Sequence, residues 1–521
     1  MRASDFLHQV QTQATEMINF EQTGLQNIAS ISKGCSRACE YQTLMIVRSK
    51  SEDKHTKGGY ELLGNIMVDD SQQRWLNPYA LMLEINIDES TIDLKAMFDS
   101  RVIDEWTLSR LVNRFSHVCQ QLLNSGREQT LDEIDLVSPM DLQEIWSWNK
   151  QCPVVRETNV QDLITTTARA QSSAPAVDAW DGHLSYGELD SLSETLAKRL
   201  ISSGVGQNSV VRLCFEKSMW TSVAILGVLK PGGAFTLLTP SLPEQRLRSI
   251  VLRTQSTVIL SSTHSQELSA RLCPNVVVVN HSTITPLDSA SIKSTQTTAS
   301  VPASAALCVV FTSGSTGKPK GNILTHANFA SAMYHQREVC DAYKGGARVY
   351  DFASYAFDIA VHNVLMTFAQ GGCLCIPSEE QRRESLMQSM AELEVTTANI
   401  TPSVARLLDP ESLPTLTTLI LAGVPVSSFG ITRWKNRRES IRIINAYGPA
   451  ECGISSLAFC EEVNETHAAP IGKGAGLVTW VVDAADEQKL VGVGCTGELL
   501  LDGPLVGAGY LETLSGQVNY F

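Results

Sequence analysis

The sequence has no apolar run near the roughly 18 residues that a membrane helix needs; Ala305 to Phe311 is typical of the stretches present. The amino terminus, Met1-Arg2-Ala3-Ser4-Asp5, lacks an apolar signal segment, so the cytoplasm is the expected compartment and no membrane association is expected. No Cys-x-x-Cys pair occurs among the 13 cysteines. An odd, scattered set reads as reduced thiols in cores, not as a disulfide framework or a zinc site. Cys35 and Cys39 could share a helix face, and Cys373 and Cys375 alternate along an expected strand, but neither pair has enough His or Cys neighbours for a metal. Positive charge is short as well: 41 Lys and Arg against 55 Asp and Glu leave a net charge of -14. Such a field repels polyanions and argues against nucleic acid as a partner, while a small anion can still be held by local backbone donors and a divalent cation.

What is present suits a soluble globular chain, with 43% hydrophobic and 18% charged residues. A length of 521 residues exceeds one ordinary core and predicts at least two domains. In the first 140 residues, Leu108, Leu111, Val112, Phe115, Val118, Cys119, Leu122 and Leu123 recur at helical spacing, with Gly126 placed to end the helix. Tyr79 to Ile87 reads as a buried strand. Periodicity weakens between Val137 and Ala174, where Pro139, Pro153 and Pro175 punctuate the chain, and a linker is expected over 141–165. Ser185-Tyr186-Gly187-Glu188 then has capping-box spacing before a helix lined by Leu189, Leu192, Leu196 and Leu200 and ending near Gly204. Short apolar strands follow, at Ser209–Phe215, Val258–Leu260, Val276–Val279, Leu307–Phe311, Thr418–Leu421 and Ile441–Ile444, with helical patterns between several of them. The fold class expected is α/β, with helices packed on mostly parallel sheets.

The strongest chemical signal is Thr312-Ser313-Gly314-Ser315-Thr316-Gly317-Lys318-Pro319-Lys320-Gly321, directly after an apolar strand. Glycines let backbone amides approach phosphate oxygens, hydroxyls add donors and two lysines add charge, which together form a polyphosphate cradle. The Walker spacing is absent, and so is the Gly-x-Ser-x-Gly of a nucleophile elbow. Gly492-Val493-Gly494-Cys495-Thr496-Gly497 fits a dinucleotide pattern but leads into the apolar run Leu499 to Leu501, so it is expected to be a turn before a strand.

With that decapeptide the chain resembles the adenylate-forming superfamily, and specifically the adenylation domains of nonribosomal peptide synthetases. Leu184 to Leu189, Leu229-Lys230-Pro231-Gly232-Gly233-Ala234-Phe235, Phe357-Asp358-Ile359-Ala360, Asn445-Ala446-Tyr447-Gly448-Pro449-Ala450-Glu451 and Gly497-Glu498-Leu499 through Leu511 follow in the family's order. The resemblance implies ATP-dependent activation of an amino acid as aminoacyl-AMP, within a synthetase making a secondary metabolite. Thr312 to Lys318 with Lys320, Ala422, Gly423, Asn445, Tyr447, Gly448 and Glu451 would bind ATP, and Glu451 its Mg2+. Asp358 would pair with the substrate ammonium, and Ile359, His362, Asn399, Ile420, Ala422, Ala446, Ile454 and Ser455 would surround the side chain. His362 and Asn399 could hydrogen-bond a polar or aromatic substrate. Ala450 departs from the pattern, replacing a threonine whose hydroxyl is expected to bond the α-phosphate.

Residues 1–140 resemble the carboxyl-terminal part of a condensation domain, carried by Phe20 to Ile28, by Phe98-Asp99-Ser100-Arg101-Val102-Ile103 and by the helix that follows. The family's His-His-x-x-x-Asp-Gly motif is absent, so peptide-bond formation by this chain alone is not expected. Residues 166–521 correspond to the large adenylation core, ending before the small subdomain that supplies a catalytic lysine. The expected partner is a carrier (thiolation) domain, in cis or trans, whose phosphopantetheine takes the acyl group. An acyl-CoA-type ligase and a catalytically silent remnant are the alternatives.

Overall fold

The computed structural model describes residues 1–49, 61–65, 79–88, 91–126, 128–284, 301–313, 319–336, 341–437, 440–453, 456–458, 470–511 and 518–519. The chain divides into two compact units, one of Met1–Lys150 with Trp480–Leu500, the other of Gln151–Thr479 with Leu501–Phe521.

In the first unit a four-stranded sheet runs in the order Thr43–Ser49, Leu81–Ile87, Thr91–Phe98, Glu61–Asn65. Its central pair is antiparallel and each outer strand is parallel to its neighbour. Alternation along Leu81–Ile87 turns Leu81, Leu83 and Ile85 into a core with Leu94, Ala96, Leu108 and Val112. The helix Glu105–Leu123 begins where the Asp104 side chain accepts from Thr107 N at 2.8 Å, and it stops at Asn124, two residues before the glycine expected to end it. On it, Arg110 is 5% exposed, 3.2 Å from Asp141, paired with Glu144 and stacked on Trp106. Arg114 donates to Val493 O at 3.0 Å, and the rings of Trp146 and Trp480 meet edge to face.

Where weak periodicity suggested a linker, two helices stand, Pro139–Trp148 and Val160–Ala170. The first is specified by its start: Ser138 and Asp141 form a reciprocal capping box with proline at the first helical position.

In the second unit two eight-stranded sheets are joined by one core that draws on both. The first sheet carries Val210–Cys214, Ala234–Leu238 and Ala306–Ser313 in parallel, then turns antiparallel through Pro319–Thr325 and Gly509–Leu511. The second is parallel from Arg442–Tyr447 through Thr418–Ala422, Thr397–Ile400, Arg348–Tyr350 and Cys373–Ile376 to Pro175–Ala179. Both faces of this sheet are covered: Ile420, Ile444 and Ala446 enter the large core, while Leu419, Leu421 and Ile443 enter a second core with Trp434. All four residues of Cys373–Ile376 are buried for this reason, Leu374 and Ile376 in the large core and Cys375 in the second. The helix Tyr186–Ser202 has the expected box, with Ser185 and Glu188 bonded reciprocally. The helix Met219–Leu229 is buried from Thr221 to Leu229 on every side, as a helix apolar all round requires.

Candidate active site

Parallel strands end where their neighbours' loops diverge, and these carboxyl ends are where open α/β sheets bind ligands. Here the register pairs Asn399 with Ile420 and Ile420 with Ile444, and two residues further pairs Ala422 with Ala446. Side chains alternate along each strand, so Asn399, Ile420, Ala422 and Ala446 share one face of the sheet. Asn445 has the opposite parity and donates its Nδ2 to Pro470 O at 3.0 Å. Gly423 closes the strand at φ 90°, a conformation that favours glycine, and the Tyr447 ring is 40% exposed beside the exposed Gly448.

The helix Asp358–Gln370 belongs to the same core as that sheet face. Phe357 precedes it and has no capping side chain, so Asp358 opens the first turn, its Oδ1 accepting from Ile359 N at 2.9 Å. Burial, and secondarily the charge of Glu451, raise the half-buried Asp358 carboxyl to about 6 against the pull of backbone N–H groups. Among the described residues no lysine or arginine pairs with it. Ile359 is half-buried beside it. His362, one turn on, is 2% exposed, packed against the rings of Phe329 and Tyr343, and burial lowers its imidazole to about 3, leaving it neutral.

The loop leading to Asp358 is tethered from within. Lys217 Nζ lies 2.6 Å from Asp351 Oδ1, close but poorly aligned for a hydrogen bond, with side chains 1% and 0% exposed. It also sits 4.1 Å from the centre of the Tyr355 ring, and the Tyr355 hydroxyl donates to Asp351 Oδ2 at 3.2 Å. Burial lowers the Lys217 ammonium and Asp351 pulls it back up.

The glycine-rich loop is slung between two antiparallel strands whose last pairs are Thr312 with Lys320 and Ser313 with Pro319. Thr312 is half-buried and Lys320 exposed at the stem. Gly314, Ser315, Thr316, Gly317 and Lys318 lie outside the described residues, as do the Ser313 side chain, Ile454 and Ser455. Next to the stem, Lys320 Nζ lies 5.1 Å from the centre of the Tyr510 ring, and the Tyr510 hydroxyl donates to Glu451 Oε1 at 2.6 Å. Glu451 sits in the one-turn helix Ala450–Cys452, which is held where Asn322 Nδ2 donates to Ala450 O and Gly507 N to Glu451 O. A Cβ at Gly507 would come within 2.8 Å of Ile323 O, so the turn leading into the strand Gly509–Leu511 can pass this close only as glycine.

Glu451 is a single carboxylate whose Oε1 receives the Tyr510 hydroxyl. A single carboxylate suits magnesium, which completes its octahedron with phosphate oxygens and water. Among the described residues no cluster of three or more His, Cys, Asp or Glu forms an all-protein metal cage.

Residues 164–511 match the family model described as AMP-binding enzyme. The chain belongs to the AMP-binding enzymes. It is 44% identical over 530 residues to nonribosomal peptide synthetase 30 of Fusarium vanettenii, a match covering 97% of this chain and 9% of the relative. With peramine synthetase A of Epichloe festucae it shares 42% identity over 509 residues, covering 97% and 18%. The chain thus spans only a small share of these curated relatives. Among solved structures, the nonribosomal peptide synthetase FmoA3 in its alpha-methyl-L-serine-AMP-bound form matches with a TM-score of 0.70 at 20% identity, over 86% of this chain and 50% of that one. VinN matches at 0.60 and 21%, over 69% and 91%. Both share the α/β fold.

In this AMP-binding enzyme, sequence reasoning did not single out Lys217, Asp351, Tyr355, Tyr343, Asn363 or Asn322. Tyr510 was part of a motif but had no assigned task. A lysine two residues past the apolar strand, in Phe215-Glu216-Lys217-Ser218, is the signal that could have pointed to a buried counter-charge.

Proposed function

We propose that this chain carries the binding core of an ATP-dependent amino-acid-activating ligase within a nonribosomal peptide synthetase. A carboxylate oxygen of the amino acid attacks the α-phosphorus of ATP, a P–O bond forms, the bond to the β-phosphate oxygen breaks, and aminoacyl-AMP and pyrophosphate result. The Asp358 carboxylate holds the substrate ammonium, the loop Thr312 to Lys318 with Lys320 receives the phosphates, and Tyr447 offers its ring to the adenine. Glu451 would hold magnesium, which when bound would neutralise phosphate charge, and the Tyr510 hydroxyl fixes the Glu451 carboxylate. The observation that carries the reading is Asp358: a desolvated carboxylate without a cation among the described residues, at the head of a helix facing the sheet's ligand-binding face.

Ile454 and Ser455 join the side-chain pocket in this reading. The acyl group then passes to the phosphopantetheine thiol of a carrier domain, and residues 1–140 are the carboxyl-terminal part of a condensation domain, joined through 141–165 to the adenylation core. Among the described residues no helix is long and apolar enough to cross a membrane. ATP–pyrophosphate exchange over a panel of amino, aryl and fatty acids tests the proposal. Exchange or binding with α-amino acids is expected, and exchange with aryl or fatty acids alone would overturn it.

A further inference from the structure

Between helix Asp358–Gln370 and strand Thr397–Ile400 lies a small group of buried polar side chains. Asn363 is 0% exposed, and its Oδ1 receives the Tyr343 hydroxyl at 2.9 Å and the Asn399 Nδ2 at 3.5 Å. Among the described residues its own Nδ2 has no hydrogen-bond partner, and neither has Nδ1 of His362. An unpartnered buried donor is costly, and natural interiors retain one where a ligand or water completes it. Burial keeps the imidazole uncharged, so these four side chains present hydrogen-bonding groups and no formal charge.

Their placement follows from periodicity. His362 stands four residues after Asp358, on the same helical face and one turn deeper. Asn399 shares a sheet face with Ala422 and Ala446, two short side chains nearer the carboxyl ends of the strands. An amino acid held at Asp358 by its ammonium therefore extends its side chain along the helix towards His362, Asn363 and Asn399.

We infer that the activated amino acid carries an uncharged side chain ending in a hydrogen-bonding group, an amide or a hydroxyl. This rests on the amino-acid-activating reading above. An aliphatic side chain would displace water and leave both groups unsatisfied, while a carboxylate or ammonium would be buried without a counter-charge.

Isosteric amino acids separate these cases. Asparagine, leucine and aspartate form one set, glutamine, methionine and glutamate a second, and tyrosine with phenylalanine a third. Binding of each is measured calorimetrically on the full chain with magnesium and a non-hydrolysable ATP analogue. In at least one set the neutral polar member is expected to bind about tenfold or more tighter than its apolar and charged counterparts. In that set Asn399→Leu is expected to reduce the ratio below about threefold, with nucleotide affinity as the control for folding. Apolar or charged members binding as tightly in every set would overturn the inference and leave amino-acid activation standing. If acids without an α-amino group bind as well as amino acids, or no amino acid binds, the activation reading falls and this one with it.

Discussion

Replacing Lys217 by methionine keeps most of the stem that packs against Tyr355 and removes the ammonium 2.6 Å from Asp351. The carboxylate then stays in a site that is 0% exposed, with the Tyr355 hydroxyl as its remaining side-chain donor. Breaking a buried pair from one side costs about 3–5 kcal/mol, because the partner charge is left without compensation. The second unit has roughly 350 residues, so at about 2 cal/mol/K per residue its unfolding entropy is near 0.7 kcal/mol/K and the expected loss in Tm is about 5 °C. Replacing both partners, Lys217→Met with Asp351→Leu, removes the stranded charge and should recover at least half of that loss. Differential scanning calorimetry of the three variants reads both numbers. Because Asp351 opens the loop that ends at Asp358, the single variant should also bind amino acid more weakly than the double. A single variant melting within about 1 °C of the parent, or a double as unstable as the single, would refute the reasoning.

Amino-acid affinity should fall as pH drops through about 6, where Asp358 takes up a proton. Asp358→Asn should weaken binding about 30-fold or more above that pH and flatten the profile, as calorimetric titration across pH 5 to 8 would show. Without substrate the sign reverses: the folded state keeps this proton up to about 6, above the ordinary carboxyl value, so ionisation destabilises it between those limits. Asp358→Asn should accordingly melt higher than the parent at pH 8 and close to it at pH 4. Ala450→Thr restores a hydroxyl beside Glu451 and should tighten nucleotide binding about fivefold, while Tyr510→Phe, which frees Glu451 Oε1, should weaken it about tenfold in the presence of magnesium. His326 is fully buried, accepts from Val160 N at 3.3 Å and is lowered to about 4. Its share of stability is intact above the unfolded value near 6.5 and is lost as pH falls towards 4, by about 3 kcal/mol, and acid denaturation of His326→Gln should lack that component.

Local signals carried much of the architecture. The box at Ser185 and Glu188 marks the helix it caps, and the apolar runs at Val210, Ala306, Thr418 and Arg442 are strands within two or three residues of where their patterns put them. Helix Met219–Leu229 has no amphipathic period, because it is surrounded by core. Helix Pro139–Trp148 is short, and its start outweighs its weak stripe. At the site, Asn399, Ile420 and Ala422 were candidates through the resemblance alone, whereas Asp358 and Glu451 were legible as candidates because each sits in a contiguous motif. Tyr343 with Asn363, and Lys217 with Asp351, were not, because each pair joins separate elements and only the packed core brings them together. Tyr510 reaches Glu451 across the sheet edge in the same way.

The segment Trp480–Leu500 belongs to the first unit although most of the surrounding sequence belongs to the second. A graft that joined residues 151–521 to a foreign amino-terminal portion would take this segment along and separate it from Arg114, whose guanidinium reaches Val493 and Cys495, and from Trp146, which meets Trp480. Exchange of residues 151–521 between related chains thus needs a crossover that keeps these pairs matched, and a single seam at residue 150 does not provide one.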